Sequence, residues 1–388
     1  MIANDTVTIA SVRAVDVRDV PFSCGLITPW DPSRPIYTRD YCVVRIETSD
    51  GHWAVSMDGE YSPHLPVTAQ QVEQLVAPKL EGQPLLTSDA HATLLRQLRP
   101  HGRFFFVGVA LWDLIGQALE TPLYRLWGGA RDSVPVYAST VHHARTTEER
   151  AEDCLAYLER GYRAVKLRLS GDTIADDIRL VETCRRSVGD RMAIMVDANQ
   201  SQKLPGAPNP GVTWDLDRAL ATARELAALD VAWLEEPLAY ALPQEGRTLR
   251  EQAQVPIAGG EALTGLRAYR DLLQSGVYDL IQPDPITGGS PSEMLKIAAL
   301  CEADELPFVY HHGKSGVGFM IGLHLSCATH HAPWLEYMDD GPFWQAEGFQ
   351  VGFRQPMPIQ ADGTVRCPDT PGLGIDWDLA WLQTIGLA

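Results

Sequence analysis

Three short apolar runs in the sequence each finish on an acid: Met195-Val196-Asp197, Trp233-Leu234-Glu235 and Ala258-Gly259-Gly260-Glu261. The second stops at Glu236-Pro237, where proline cannot continue a strand. Strands that end this way bring carboxylates to one point, and like charges in a partly dry site need positive company. A hard divalent ion such as Mg2+ takes oxygen ligands and leaves positions open for substrate. Asp197, Glu235 and Glu261 are therefore the candidate metal ligands, with no softer ligand in the set to favour zinc or copper. One strand-end acid often does no more than cap a helix, but three in succession fit that reading poorly. Asn199, two residues beyond Asp197, points the same way as a neutral substrate contact.

Other runs supply the remaining chemistry. With a period of two, Lys166 and Arg168 share the face opposite Val165, Leu167 and Leu169. They either neutralise the acids structurally or hold a substrate carboxylate and the negative charge that develops on it. Gln282-Pro283-Asp284 and Tyr310-His311 end two further strands, and adjacent parallel strands place Asp284 beside His311. A carboxylate behind an imidazole fixes its tautomer and raises its basicity, as a general base requires. A lone histidine is more often structural, and His312 is adjacent, so the choice between the two depends on register. Glu336 ends the last strand and would give a proton or hydrogen bond to a developing enolate if burial keeps it protonated.

The elements that must position these groups follow from periodicity. Alternating patterns at Thr8–Val12 and Tyr41–Ile46 predict antiparallel strands, with loops at Pro21–Pro35 and Met57–Pro63. Helices are predicted at Ala69–Leu80 and Phe106–Leu119. From about Val134, short apolar strands alternate with helices, two of them opened by capping boxes at Thr146/Glu149 and Ser290/Glu293. The count of about eight strands predicts a closed parallel α/β barrel, with chemistry at the strand ends. The loop at 200–213, rich in Pro and Gly, is either a lid or an insertion.

Composition bounds the partners. The 388-residue chain is 45% apolar and 21% charged, ordinary for a globular protein. A net charge of −18 makes nucleic acid and anionic membrane surfaces poor partners. No apolar run is long enough to span a bilayer, and the start lacks a continuous apolar signal core. Seven scattered cysteines, with no CxxC pair, suit reduced core residues and a cytoplasmic location.

Taken together, the motifs resemble the enolase superfamily, and within it the mandelate-racemase-like branch, over nearly the whole chain. The residues that carry the likeness are Phe106–Leu114, Leu126-Trp127-Gly128-Gly129, Gly161–Arg168, Val196–Asn199, Trp233–Pro237, Gly260-Glu261, Pro283-Asp284, Pro307–His311 and Trp334–Tyr337. The resemblance implies a (β/α)7β TIM-like barrel at 129–354 with an α+β capping domain at 1–128, completed by a segment at 355–388 that returns to the cap. It implies Mg2+ at Asp197, Glu235 and Glu261, a base dyad of His311 and Asp284, Lys166 at the substrate carboxylate and Glu336 near the enolate oxygen. The two N-terminal loops look like those that close over substrate, with Trp30, Tyr61 and His64 as specificity residues. A homo-oligomer is also implied.

One departure bears on the reaction. Racemases of this branch carry lysine at both Lys-x-Lys positions, the second as a base on the opposite face; here the second is Arg168. Guanidinium is effectively never a base in proteins. Nor does the sixth strand end in a lysine. One base suits syn dehydration of an aldonic or aldaric acid to a 2-keto-3-deoxy acid, His311 taking the α-proton and protonating the departing β-hydroxyl. The alternative is a one-base cycloisomerase, epimerase or racemase of sugar acids, and a non-enzymatic ligand-binding barrel is a distant third.

Overall fold

The computed structural model describes residues 7–203, 206, 208, 209, 211–341 and 343–388 of the chain. Within the predicted loop at 200–213, residues 204, 205, 207 and 210 therefore lie outside the described residues.

The N-terminal part is a three-stranded antiparallel sheet in the order β1 (Ile9–Leu26), β2 (Ile36–Thr48), β3 (Trp53–Tyr61). Both predicted loops are shorter than expected. β1 runs on to Leu26 through Pro21, which is tolerated because β1 is an edge strand and a register shift follows it. β3 continues to Tyr61, because Gly59 leaves room for the cross-strand ring: a Cβ there would lie 2.6 Å from Tyr41 Cε1. Helix α1 (Ser88–Leu98) packs on helix α2 (Phe105–Ala118), which lies against β2 and β3 and is buried on nearly every side.

The second part is an eight-stranded parallel barrel. Its strands are β4 (Ser133–Ser139), β5 (Ala164–Arg168), β6 (Ala193–Asp197), β7 (Val231–Glu235), β8 (Ile257–Gly259), β9 (Leu280–Ile281), a short stretch at Phe308–Tyr310 joined by single bridges to Ile281 and Leu335, and β10 (Leu335–Met338). β10 pairs with β4 and closes the ring. Seven helices fill the crossovers: α3 (Thr147–Glu159), α4 (Ile174–Val188), α5 (Leu216–Ala228), α6 (Pro243–Gln252), α7 (Leu266–Ser275), α8 (Pro291–Ala303) and α9 (Gly316–Cys327). The predicted capping boxes open α3 and α8. The fold is thus a (β/α)7β barrel with a separate antiparallel sheet. Among the described residues, no helix is long and apolar enough to cross a membrane. Six of the seven free cysteines are buried.

The C-terminal segment ties the parts together. β11 (Thr364–Arg366) pairs with β4 at the base of the barrel. Gly372 then crosses α2 where Gly116 has no side chain; a Cβ there would lie 2.6 Å from Gly372 Cα. Leu373 N–H donates to Asp113 at 2.8 Å, and the Leu387 carbonyl accepts from Arg45 at 2.6 Å.

His324 on α9 is the hub of this junction. Its Nδ1 accepts from the Tyr124 N–H at 3.1 Å, and its Nε2 faces the Leu373 carbonyl at 3.0 Å, a pairing that needs the neutral ring. Burial lowers its pKa to about 4. A histidine depressed in the folded state stabilises fully above its unfolded pKa and loses that contribution as pH falls through the folded value. The stability advantage of wild type over His324→Gln, measured by chemical denaturation, is predicted to be largest above about pH 6.5 and to shrink by roughly 3 kcal/mol toward pH 4. An advantage that stays flat with pH contradicts this account.

Candidate functional site

The barrel interior is built in layers two residues apart. Tyr137, Ala164, Met195, Trp233, Ala258, Leu280 and Val309, each from a different strand, form an apolar floor. Two residues further along, side chains point inward again. That step places Ser139, Lys166, Asp197, Glu235, Gln282 and His311 in one layer above the floor, with Glu336 two residues beyond Trp334. Alternation thus converts an apolar floor into a polar layer within a single pleat.

Charge pairing sets the geometry of that layer. Lys166 Nζ lies 2.8 Å from Glu235 Oε1, 2.9 Å from Glu336 Oε1 and 3.7 Å from Asp197 Oδ2, with no solvent exposure on any of the four. Burial alone would lower the lysine pKa, but Glu235 and Glu336 outweigh it and hold the ammonium charged. Arg168 pairs with Asp197 and donates from Nε to the Thr140 carbonyl at 2.7 Å and from Nη2 to Ser139 at 3.1 Å. Glu235 Oε2 also accepts from Gln282 at 2.6 Å and from the Trp233 indole at 3.2 Å. Glu236, next in the chain, accepts from Tyr240 at 2.8 Å.

Glu336 is not kept protonated as the sequence reading required. Burial pushes its carboxyl up, but Lys166, His311 and Arg168 outweigh that and hold it below the ordinary range. It acts as an acceptor, from Ser139 at 2.6 Å and from the His312 N–H at 3.0 Å.

His311 and Asp284 are brought together. His311 Nδ1 lies 2.6 Å from Asp284 Oδ2, while Oδ1 accepts from the Ile286 and Thr287 N–H groups at 2.8 and 2.7 Å. These backbone donors fix the carboxylate, and the carboxylate fixes the ring. His311 Nε2 faces Glu261 at 3.1 Å. Burial lowers the imidazole pKa, yet Glu261, Glu336 and Asp284 outweigh it and raise it to about 9. His312 is different: its Nδ1 accepts from the Lys314 N–H at 3.0 Å, and burial beside His311 drives its pKa well down. Register thus separates the adjacent histidines.

Above the layer lies a cavity of about 370 Å3, bounded by Arg168, Asn199, Glu236, Glu261 and His311 from the barrel and by Trp30, Arg39, Glu60, Tyr61 and Lys314 elsewhere. Ser201, Gln202, Lys203 and Asn209, from the loop at 200–213, also line it. Of the residues singled out from sequence, Lys166, Asp197, Glu235, Asp284 and Glu336 are buried beneath the cavity. His64 does not line it: two residues after Ser62 it is exposed to solvent. Arg39, Glu60 and Lys314 were not anticipated. The only signal for Lys314 is its place in the polar His311-His312-Gly313-Lys314 run, and Arg39 looks like any arginine in an alternating strand.

Whether the acids suit a metal rests on their chemistry. Asp197 and Glu235 are register partners on β6 and β7, and every candidate donor is oxygen. Their carboxylates are turned onto Arg168 and Lys166, and Glu261 is turned onto His311. The tight group of three potential ligands among the described residues is Asp284, His311 and His312, whose ligand atoms lie within 4.8 Å of one another. Two of these already share a hydrogen bond, so that group is no metal cage. Negative charge is in excess at the strand ends: Glu236 is pushed well up by burial and then by Glu261 and Asp197. An oxygen-only donor set with surplus negative charge fits a hard divalent cation.

Because Lys166 is the shared counter-charge, Lys166→Met is predicted to cost roughly 3–5 kcal/mol in denaturant unfolding. Adding Glu336→Gln to that variant should recover part of the loss. Strict additivity of the two changes contradicts the pairing.

Comparison with known proteins agrees with this architecture. Residues 149–381 match the model of the enolase C-terminal domain-like family. The chain is 32% identical over 282 residues to 3,6-anhydro-alpha-L-galactonate cycloisomerase of Streptomyces coelicolor, covering 72% of this chain and 71% of that protein. It is 26% identical over 270 residues to arabinonate dehydratase of Saccharolobus solfataricus, covering 69% and 68%. A racemase from Streptomyces coelicolor solved with bound magnesium superposes with a TM-score of 0.82 at 26% identity, covering 97% of this chain and 99% of that one.

Proposed function

Since the chain belongs to the enolase C-terminal domain-like family, and within the enolase superfamily to its mandelate-racemase-like branch, we propose that it is a sugar-acid dehydratase with His311 as its one base. Its cofactor is Mg2+, in keeping with magnesium in the related racemase structure, and Asp197, Glu235 and Glu261 are the residues that would hold it. The ion, when bound, supplies positive charge for a substrate carboxylate whose α-carbon is losing a proton.

The observation that carries the reading is the asymmetry of proton carriers around the cavity. Asp284, fixed by two backbone N–H groups, holds His311 Nδ1 and turns Nε2 toward the cavity. Arg168, the charged group opposite, is held protonated because Asp197 and Glu336 outweigh its burial. Lys166 is likewise locked as an ammonium. Of His311, Arg168 and Lys166, His311 is therefore the group that can accept and return a proton.

In the proposed sequence His311 Nε2 removes the proton α to the carboxylate, leaving an enediolate. Arg168, with Asn199 beside it, orients the anionic end. The imidazolium then returns the same proton to the β-hydroxyl as the C–O bond breaks, releasing water on the face from which the proton left. The resulting enol tautomerises to a 2-keto-3-deoxy acid. For this cycle the imidazole must start neutral; Glu261 is the first of the acids that hold it protonated, followed by Glu336 and Asp284, so neutralising Glu261 moves the ring toward its neutral form.

A second reading, cycloisomerisation of a sugar acid, is favoured by the 32% identical relative being a cycloisomerase. It shares the first proton transfer and differs in what leaves.

The test is a panel of aldonic and aldaric acids and their lactones incubated with the magnesium-loaded protein and assayed for 2-keto-3-deoxy product. Release of such a product with loss of water supports dehydration; ring opening without it supports the second reading. His311→Asn is predicted to lower kcat by at least about 1,000-fold and to abolish exchange of the α-proton with solvent. Retained exchange excludes His311 as the base. Glu235→Gln should weaken magnesium binding, read by calorimetry, by an order of magnitude or more; unchanged affinity removes Glu235 from the ligand set.

A further inference from the structure

Across the cavity from the reacting layer, one wall comes from the N-terminal sheet and the loop after His311. Arg39 on β2 is only 3% exposed and lines the cavity. Its guanidinium carbon lies 5.5, 5.4 and 4.9 Å from the ring centres of Tyr41, Tyr61 and Trp344. Nη2 donates to the Lys314 carbonyl at 2.5 Å. The Nε atom is buried and has no hydrogen-bond partner. Among the described residues no carboxylate forms an ion pair with Arg39, whereas Lys314 Nζ, 3.6 Å from Glu60, has one. β3 is shaped to accept this seat: a Cβ on Gly59 would lie 3.0 Å from Arg39 Nη2.

A desolvated guanidinium with an unused N–H is costly, and its planar fork matches a carboxylate in bidentate fashion. The aromatic enclosure offsets part of that cost through the ring faces but supplies no acceptor. This wall carries two cations, Arg39 and Lys314, against the single carboxylate of Glu60.

We infer that Arg39 seats a second carboxylate of the substrate, so that the acid turned over is a diacid, an aldarate or its monolactone, rather than a monoacid aldonate. The inference rests on the sugar-acid reading for the reacting end of the molecule. The distal end is argued from Arg39 itself. Within this arrangement Trp30 and Tyr61 shape the space between the two ends, their ring centres 6.2 Å apart.

The experiment uses probes that need no knowledge of the natural substrate. Adipate and 6-hydroxyhexanoate, matched in length and differing in the second carboxylate, are titrated into the magnesium-loaded protein by calorimetry or ligand-observed NMR. Wild type is expected to bind adipate at least tenfold more tightly, and Arg39→Gln to lose that preference while leaving 6-hydroxyhexanoate binding within about twofold. Arg39→Lys, which keeps the charge and loses the fork, should fall between them, and it decides the matter if Arg39→Gln does not fold by circular dichroism. Equal binding of the two probes by wild type, or an unchanged preference in a folded Arg39 variant, overturns the inference. Turnover of aldonates with no turnover of aldarates also overturns it while the sugar-acid reading stands. An Arg39-dependent preference for adipate in a protein that turns over no sugar acid supports the diacid seat and removes the sugar-acid reading instead.

Discussion

Lys166 sits with no exposure between Glu235 and Glu336, and the mouth of the barrel is organised around that buried ammonium. Three strands present acids at one level, and a barrel holding Asp197, Glu235 and Glu336 without a counter-charge would have to protonate them or come apart. Lys166 and Arg168 make the level tenable. They do so because β5 rises from Ala164 in the floor with the same two-residue alternation as its neighbours. The apolar floor excludes water from below, which strengthens every pairing above it.

The same pairing decides how the site can handle protons. Lys166 and Arg168 are each held charged by the acids they neutralise, so neither is a ready base. Glu336 is ionised by the same cations. His311 is left as the group whose charge changes most readily, and Asp284 gives it one orientation. The opposite wall of the cavity, with Arg39 and Tyr61 from the N-terminal sheet and Trp30 from the loop between its first two strands, is where the proposed choice of substrate is made. In the proposed reading, reaction type and substrate choice thus fall to different parts of the chain.

Much of this was legible from residue order. Strands β6 and β7 fall at Ala193–Asp197 and Val231–Glu235, where the apolar runs placed them, because short runs that stop on an acid have sharp ends. Two crossover helices gave no periodic signal, for opposite reasons. Helix α9 is buried on every side and so has no polar face, and α6 is polar throughout with Leu249 alone buried. The loops at 21–35 and 57–63 were overdrawn because proline and glycine read as turns, whereas an edge strand and a crowded ring accommodate them. His64 drew notice by its type and lies outside the cavity, while Arg39 escaped notice because orphaned hydrogen-bond donors are visible only in three dimensions. The protonation of Glu336 was likewise a property of its neighbours, beyond the reach of strand-end patterns.

The central claim is that a single base works on a single face. It is tested most directly by letting the magnesium-loaded wild-type protein act on its sugar acid in deuterium oxide and locating the label by NMR in recovered substrate and in product. The account predicts recovered substrate of unchanged configuration at its α-carbon and product carrying deuterium at C3, from tautomerisation in solvent. Recovered substrate that is inverted and deuterated at the α-carbon would require a second base on the opposite face and would contradict it.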